Sequence, residues 1–238
     1  MPVRAIFFDA GNTLLYPRVD ELAAHVMALG YKAGLEDFYA AERQAKRKFD
    51  EWLWPKLEKH ELPPAVDRIY WVEYLKVLFG RVGVPVDQHE SVTHQLVERF
   101  RDIRLWSRVF PETQSVLGNL RSLGYSLGVI SNSVGTVEEQ INRAGLGAYF
   151  GFVLDSAVVG VEKPHPEIFQ MALDRAAVPA SDAVFIGDTY ATDIGGARGA
   201  GLRGILIDRF GAYDDTVQCP RITSLEGLEP VLTRWAAD

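Results

Sequence analysis

Five residues have the types and placement to do chemistry together: Asp9, Ser131, Lys163, Asp188 and Asp193. Asp9 follows the short apolar run Ile6-Phe7-Phe8, and Gly11-Asn12-Thr13 after it supply a tight turn rich in exposed backbone. Ser131 and Asn132 follow Val129-Ile130, and Asp188 follows Ile186-Gly187. Lys163 precedes Pro164 in a loop, and Asp193 opens the segment after Asp188. A carboxylate at the carboxyl end of a strand can attack as a nucleophile or hold a cation. With a hydroxyl donor, a fixed ammonium and two further carboxylates, the set is what phosphoryl transfer to a carboxylate requires. Asp9 and Asp188 would be too close for two unpaired anions, which a divalent cation between them resolves. The cation, Ser131 and Lys163 would then neutralise the phosphoryl oxygens. Taken singly, each residue reads as a turn, a cap or a solvated side chain. Their arrival in order at one sheet edge carries the argument.

The elements that would bring them there are strands alternating with helices. Ser126–Ile130, Phe152–Leu154, Ala183–Ile186 and Gly204–Ile207 read as strands, joining the one that ends at Phe8. Helices are expected from Val116 to Leu123, from a Thr136–Glu139 capping box to Gly145, after Pro166, after Asp193, and from about Ser224 to Trp235. That rhythm implies a parallel sheet with right-handed crossovers, and ligand sites in such sheets lie outside the carboxyl ends of the strands. From about Tyr16 to Trp106 the spacing is helical and no strand stands out; Ile69, Val72, Leu75 and Phe79 show it best. Pro63-Pro64 and Gly83-Val84-Pro85 divide that block. Four of the five tryptophans fall in it, as expected for a separate small core. Its basic cluster of Arg43, Lys46, Arg47 and Lys48 reads as a solvated helix face. Gly199-Ala-Gly201-Leu-Arg-Gly204 precedes a strand instead of following one, so it is not a dinucleotide fingerprint.

Composition narrows the class. The chain has 238 residues, a 47% hydrophobic fraction and a net charge of -7. That balance argues against a primary role on nucleic acid or an anionic membrane, and is compatible with an anionic small molecule if a metal or lysine offsets it. One cysteine, Cys219, excludes an internal disulfide and fits a reducing compartment. No apolar run nears the ~18 residues of a membrane span, and the amino terminus lacks a signal-peptide layout. The expectation is a cytoplasmic protein, with its oligomeric state left open.

With these residues in view, the sequence resembles the haloacid dehalogenase superfamily. Its four signatures appear in order: Asp9 with Asn12-Thr13-Leu14, Val129-Ile130-Ser131-Asn132, Lys163-Pro164, and Gly187-Asp188-Thr-Tyr-Ala-Thr-Asp193. The resemblance implies an α/β fold with a Rossmann-like core at residues 1–15 and 108–238. Residues 16–107 would be an inserted all-helical cap of C1 type. It also implies a Mg²⁺-assisted aspartyl-phosphate mechanism on a small phosphate ester. Asp9 would attack, and Asp9, the Gly11 carbonyl and Asp188 would ligate the metal. Ser131 and Lys163 would hold the phosphoryl group, with Asn132 and Thr13 also facing substrate. Asp193 would orient Lys163 or a metal-bound water.

One position departs from the pattern. Phosphatases of this family carry an acid/base Asp two residues after the nucleophile, where this chain has Gly11. General acid–base help is typically worth ~10²–10⁴ in rate. Tyr16, Asp20, Glu21 and His25 are the substitutes nearest in sequence. Relatives lacking the acid suggest one alternative, a metal-independent 2-haloacid dehalogenase; the other is a degenerate member that binds ligand or partner without efficient turnover. A phosphonatase would need a cap lysine, for which Lys46, Lys48 and Lys56 are available.

Overall fold

A computed structural model describes residues 3–214 and 217–237. Its centre is β1 (Ala5–Phe8), whose four side chains are completely buried. Alternation sends Ile6 and Phe8 to one face and Ala5 and Phe7 to the other. A strand covered on both faces is apolar without interruption, which explains the AIFF run. The main sheet adds β4 (Ser126–Ser131), β5 (Phe152–Asp155), β6 (Ala183–Gly187), β7 (Arg203–Ile207) and β8 (Arg221–Ile222). Its order is β5-β4-β1-β6-β7-β8, and it is parallel throughout. The chain winds outward from β1 through β4 and β5, then returns to the other side for β6. Strand order therefore reverses at β1, and the crevice at its carboxyl end is where such sheets bind ligands.

One layer over the sheet contains α5 (Glu112–Ser122), α6 (Val137–Arg143) and α10 (Leu228–Ala237), packed on Ile6 and Phe8. The other contains α8 (Pro166–Ala176) and α9 (Gly196–Gly199), packed on Ala5 and Phe7. A short α7 (Ser156–Val159) follows β5. Between β1 and α5 lies a helical block of α1 (Val19–Ala28), α2 (Leu35–Glu58), α3 (Val66–Val82) and α4 (His89–Phe100). It has its own core around Leu22, Phe38, Leu78 and Leu96.

Three local expectations are amended. The block is entered and left through an antiparallel ribbon of β2 (Tyr16–Pro17) and β3 (Trp106–Arg108), too short to show any alternation in sequence. Thr136 does not cap α6. The Asp155 carboxylate, at the end of the neighbouring strand, accepts from the N–H groups of Gly135 and Val137 instead. Asp193 does not start an α-helix; it lies in a π-helical turn, Tyr190–Gly195, that precedes α9.

Candidate active site

The turn after β1 is fixed by its own backbone. The N–H groups of Leu14 and Leu15 both donate to the Ala10 carbonyl, and Asn12 takes a positive φ of 54°. The Asp9 N–H continues the ladder by donating to the Ile186 carbonyl at 2.8 Å, which locks the carboxylate-bearing residue to β6. At the end of β6, Gly187 leaves room for Asp193 to fold back. A Cβ at position 187 would lie 2.4 Å from Asp193 Cγ. Asp193 Oδ2 accepts from the Thr189 N–H at 2.9 Å, closing the turn that presents Asp188.

Lys163 ties these elements together. Its Nζ donates to Asp9 Oδ1 at 2.6 Å and to Asp193 Oδ1 at 2.8 Å, and the residue is 2% exposed. Its backbone is held by Asn132, which accepts from the Lys163 N–H at 2.8 Å and donates to the Lys163 carbonyl at 2.9 Å. Carboxylate oxygens of Asp9, Asp188 and Asp193 lie within 4.8 Å of one another, a spacing that can hold a metal ion. Ser131 ends β4 beside β1 and is buried. Thr13 is buried in the turn, with no hydrogen-bond partner for its hydroxyl among the described residues.

The helical block adds charged groups to this cluster. Lys46 of α2 is 5% exposed, and its Nζ donates to Asp188 Oδ2 at 2.5 Å and to Glu42 at 3.2 Å. Glu42 in turn accepts from Asn12 Nδ2 at 3.0 Å. One turn further along α2, Asp50 accepts from the Ala191 N–H at 2.9 Å. Trp54 stacks on Tyr190 with ring centres 4.5 Å apart and planes 5° apart. The reading of Lys46 as part of a solvated face is therefore corrected; Arg47 and Lys48 are exposed, as that reading requires. The reason is steric. Phe38, Ala41, Ala45, Phe49 and Leu53 form the buried side of α2, and Glu42, Lys46 and Asp50 are interleaved with them.

Electrostatics follow from burying four carboxylates around two ammoniums. Burial pushes Asp9 up to about 8, with Lys163 opposing and Asp193 and Asp188 adding to the rise. Burial likewise lifts Asp188 to about 6, with Lys46 opposing. Burial alone would lower the two lysines, yet Asp188 and Glu42 at Lys46, and Asp193 and Asp9 at Lys163, more than offset it. Both therefore stay protonated, so Lys46 is unsuited to forming a Schiff base.

None of the four residues considered as substitutes for the missing acid sits ready to act. Tyr16 donates its hydroxyl to the Thr13 carbonyl and accepts from Arg209 Nε, both at 3.3 Å. Asp20 and Glu21 pair with Arg18. His25 lies on α1 near Arg99, and burial with that cation lowers its pKa. The space facing Gly11 is taken by an aromatic ring, since a Cβ there would lie 3.3 Å from Trp106 Cζ3.

The profile of the haloacid dehalogenase-like hydrolases matches residues 3–201, which take in β1, β4, β5 and β6 of the main sheet and the helical insertion. The chain belongs to this family. Among curated relatives, haloacid dehalogenase-like hydrolase domain-containing protein 3 of Danio rerio is 29% identical over 236 residues, covering 98% of this chain and 97% of the relative. A phosphoserine phosphatase of Thermus thermophilus is 30% identical over 223 residues, covering 87% and 89%. The solved 2-haloacid dehalogenase of Pseudomonas syringae pv. Tomato DC3000 superposes with a TM-score of 0.57 at 26% identity, covering 98% of this chain and 99% of that one. This member of the family is a hydrolase with phosphatase-named relatives. Among its described residues no helix is long and apolar enough to cross a membrane.

Proposed function

We propose that the protein is a phosphatase of small phosphorylated molecules, working through an aspartyl-phosphate on Asp9. The observation that carries this reading is the buried ammonium of Lys163, bridging Asp9 and Asp193 beside a third carboxylate, Asp188. With Oδ1 of Asp9 held by Lys163, Oδ2 is the oxygen for attack on phosphorus. Lys163 also supplies fixed positive charge where the transferring group becomes electron-rich. Ser131 and Thr13 would donate hydroxyls to the phosphoryl oxygens, while Asn132 holds the Lys163 loop. Asp193 would keep the ammonium oriented. Residues 1–15 and 108–238 act as the catalytic core and residues 16–107 as a cap that excludes water.

The donor set suits a divalent cation. Asp9, Asp188, Asp193 and Glu42 place four carboxylates against Lys46 and Lys163, an excess of two negative charges when all are ionised. Asp9, Asp188 and the Gly11 carbonyl would hold Mg²⁺, hard oxygen donors being what it prefers. When bound, it would polarise a phosphoryl oxygen and neutralise developing charge.

A second reading, 2-haloacid dehalogenase, draws on one specific feature. Lys46 already compensates Asp188 without a metal. One experiment separates the two: phosphate release from an aryl phosphate with and without Mg²⁺, beside halide release from a 2-chloro acid, with Asp9→Asn as the blank. Mg²⁺-dependent phosphate release lost in the blank supports the phosphatase. Halide release without metal overturns it.

A further inference from the structure

The first two turns of α3 bring the helical block against the site on the Lys163 side. The Val66 N–H donates to the carboxylate of Glu162, the residue before Lys163. The Val66 side chain packs with Phe49, Leu53 and Ala191, the last of which lies between Asp188 and Asp193. Tyr70, one turn on, joins the same apolar cluster, and burial beside Glu42 and Asp188 raises its hydroxyl well above the usual value. Trp71 meets Trp106 edge-on at 6.4 Å, and Trp106 is the ring that faces Gly11. Residues three and four apart share one side of a helix, so Asp67 stands with Tyr70 and Trp71 on the side turned to the site.

The charged groups that face Asp67 are Glu162 and Lys163. Lys163 in turn holds Asp9 at 2.6 Å, so Asp67 is electrostatically coupled to the ammonium that binds the nucleophile. Burial lifts the Asp67 carboxyl to about 7, with Glu162 adding to the rise and Lys163 and Trp71 opposing it. A carboxyl that titrates near neutral pH can give a proton to a leaving oxygen and later take one from water. A cleft of about 620 Å³ opens between the helical block and the core here, lined by Pro64 and Val66 on one side and by Glu162 and Pro164 on the other. Val66 adjoins Asp67, and Glu162 and Pro164 flank Lys163. A leaving group therefore has room on this side with the helical block where it stands.

We propose that Asp67 is the general acid and base that the turn after β1 lacks, reaching the leaving oxygen from the helical block. The proposal rests on the phosphatase reading and adds a catalytic residue to it. In the first step the Asp9 carboxylate forms a bond to phosphorus, and the phosphorus–oxygen bond to the leaving group breaks. The Asp67 carboxyl proton passes to that oxygen, which departs as an alcohol. In the second step water attacks phosphorus, the bond to Asp9 breaks and its carboxylate returns. The water proton passes to the Asp67 carboxylate, which restores the acid.

The test compares kcat/KM of the parent and Asp67→Asn, with Mg²⁺, on propyl phosphate and nitrophenyl phosphate across pH. For propyl phosphate the variant should lose about a hundredfold, the lower end of what acid–base help supplies, because Asp67 is carried by a separate helix and not by the nucleophile's own turn. For nitrophenyl phosphate it should lose far less, since that group departs without a proton and kcat/KM reports formation of the aspartyl-phosphate. In the parent, propyl phosphate turnover should also fall as pH rises through about 7, where the Asp67 proton is lost, and Asp67→Asn should lack that limb. A residue that only shapes the start of α3 would lower both substrates alike and leave the limb in place. Equal losses on the two esters, or a parent that turns over nitrophenyl phosphate alone, overturns the proposal and leaves the phosphatase reading intact. No phosphate release from either ester by the parent, with no phosphate found on Asp9, overturns both.

Discussion

Lys46→Met is the most informative single perturbation of this site. The side chain reaches from α2 into the core, and its Nζ lies 2.5 Å from Asp188 and 3.2 Å from Glu42. Methionine keeps most of the volume and removes the charge, leaving two buried carboxylates without their cation. Removing one partner of a buried pair typically costs about 3–5 kcal/mol, because the other charge stays desolvated. For a chain of this size each kcal/mol shifts Tm by about 2–4 °C, so the variant should melt about 6–20 °C lower in metal-free buffer. Asp188→Asn added to Lys46→Met removes one of the two stranded charges and should restore part of the loss. Mg²⁺ should raise the Tm of Lys46→Met by more than that of the parent, because the excess negative charge around Asp188 is larger. At a hundredfold excess over Kd, binding contributes about 2.7 kcal/mol. Thermal melts of the parent and the two variants, each with and without Mg²⁺, suffice. A Lys46→Met protein that melts with the parent would refute the buried pair. Equal Mg²⁺ shifts in both would refute the electrostatic link between Lys46 and the metal ligands.

Three further outcomes are expected. Asp9→Asn should abolish turnover while leaving the fold intact, checked by phosphate release beside circular dichroism; retained activity would remove Asp9 as the nucleophile. Gly11→Asp alone should give little gain, because its Cβ meets Trp106 at 3.3 Å. Combined with Trp106→Ala it should raise alkyl phosphate hydrolysis, by up to ~10²–10⁴ if the acid is fully placed; a full gain from the single change would show that Trp106 does not limit the position. Asp50 sets a pH trend. Burial lifts it to about 7 from an ordinary 3.8, so the folded form holds its proton more tightly than the unfolded chain. Its contribution is then greatest below about pH 4 and is lost as pH rises to 7, on the order of 4 kcal/mol across that window. Asp50→Asn should flatten that part of the stability–pH curve, and an unchanged slope would place the titration elsewhere.

The sheet was legible because each of its buried strands is a short apolar run between turn signals. Strands β4 to β7 lie within a residue of their expected ends. Strand β8 and the β2–β3 ribbon were not, since two or three residues cannot show a period. Asp9, Lys163, Asp188 and Asp193 were legible for a different reason: parallel topology gathers whatever stands at the carboxyl ends of adjacent strands. Asn132 was legible as a position next to the site, but its hydrogen bonds to the Lys163 backbone depend on a loop whose path the sequence does not state.

The helical block's share of the site had a signal that composition hides. Read as a cluster, Arg43, Lys46, Arg47 and Lys48 look like one solvated face. Read by helical position, they separate. The buried side of α2 runs through Phe38, Ala41, Ala45, Phe49 and Leu53, and only Lys46 of the four basic residues falls on it, between Glu42 and Asp50 at steps of four. Charged residues recurring on the buried side of a helix need partners, because an unpaired buried charge is too costly to keep. The partners are Asp188 for Lys46, the Ala191 N–H for Asp50 and Asn12 for Glu42, all on the sheet's carboxyl edge. The charged side of α2 is thus the surface by which the helical block recognises the core. The phosphatase reading gives that surface a use, since it puts the cap's positive charge next to Asp188.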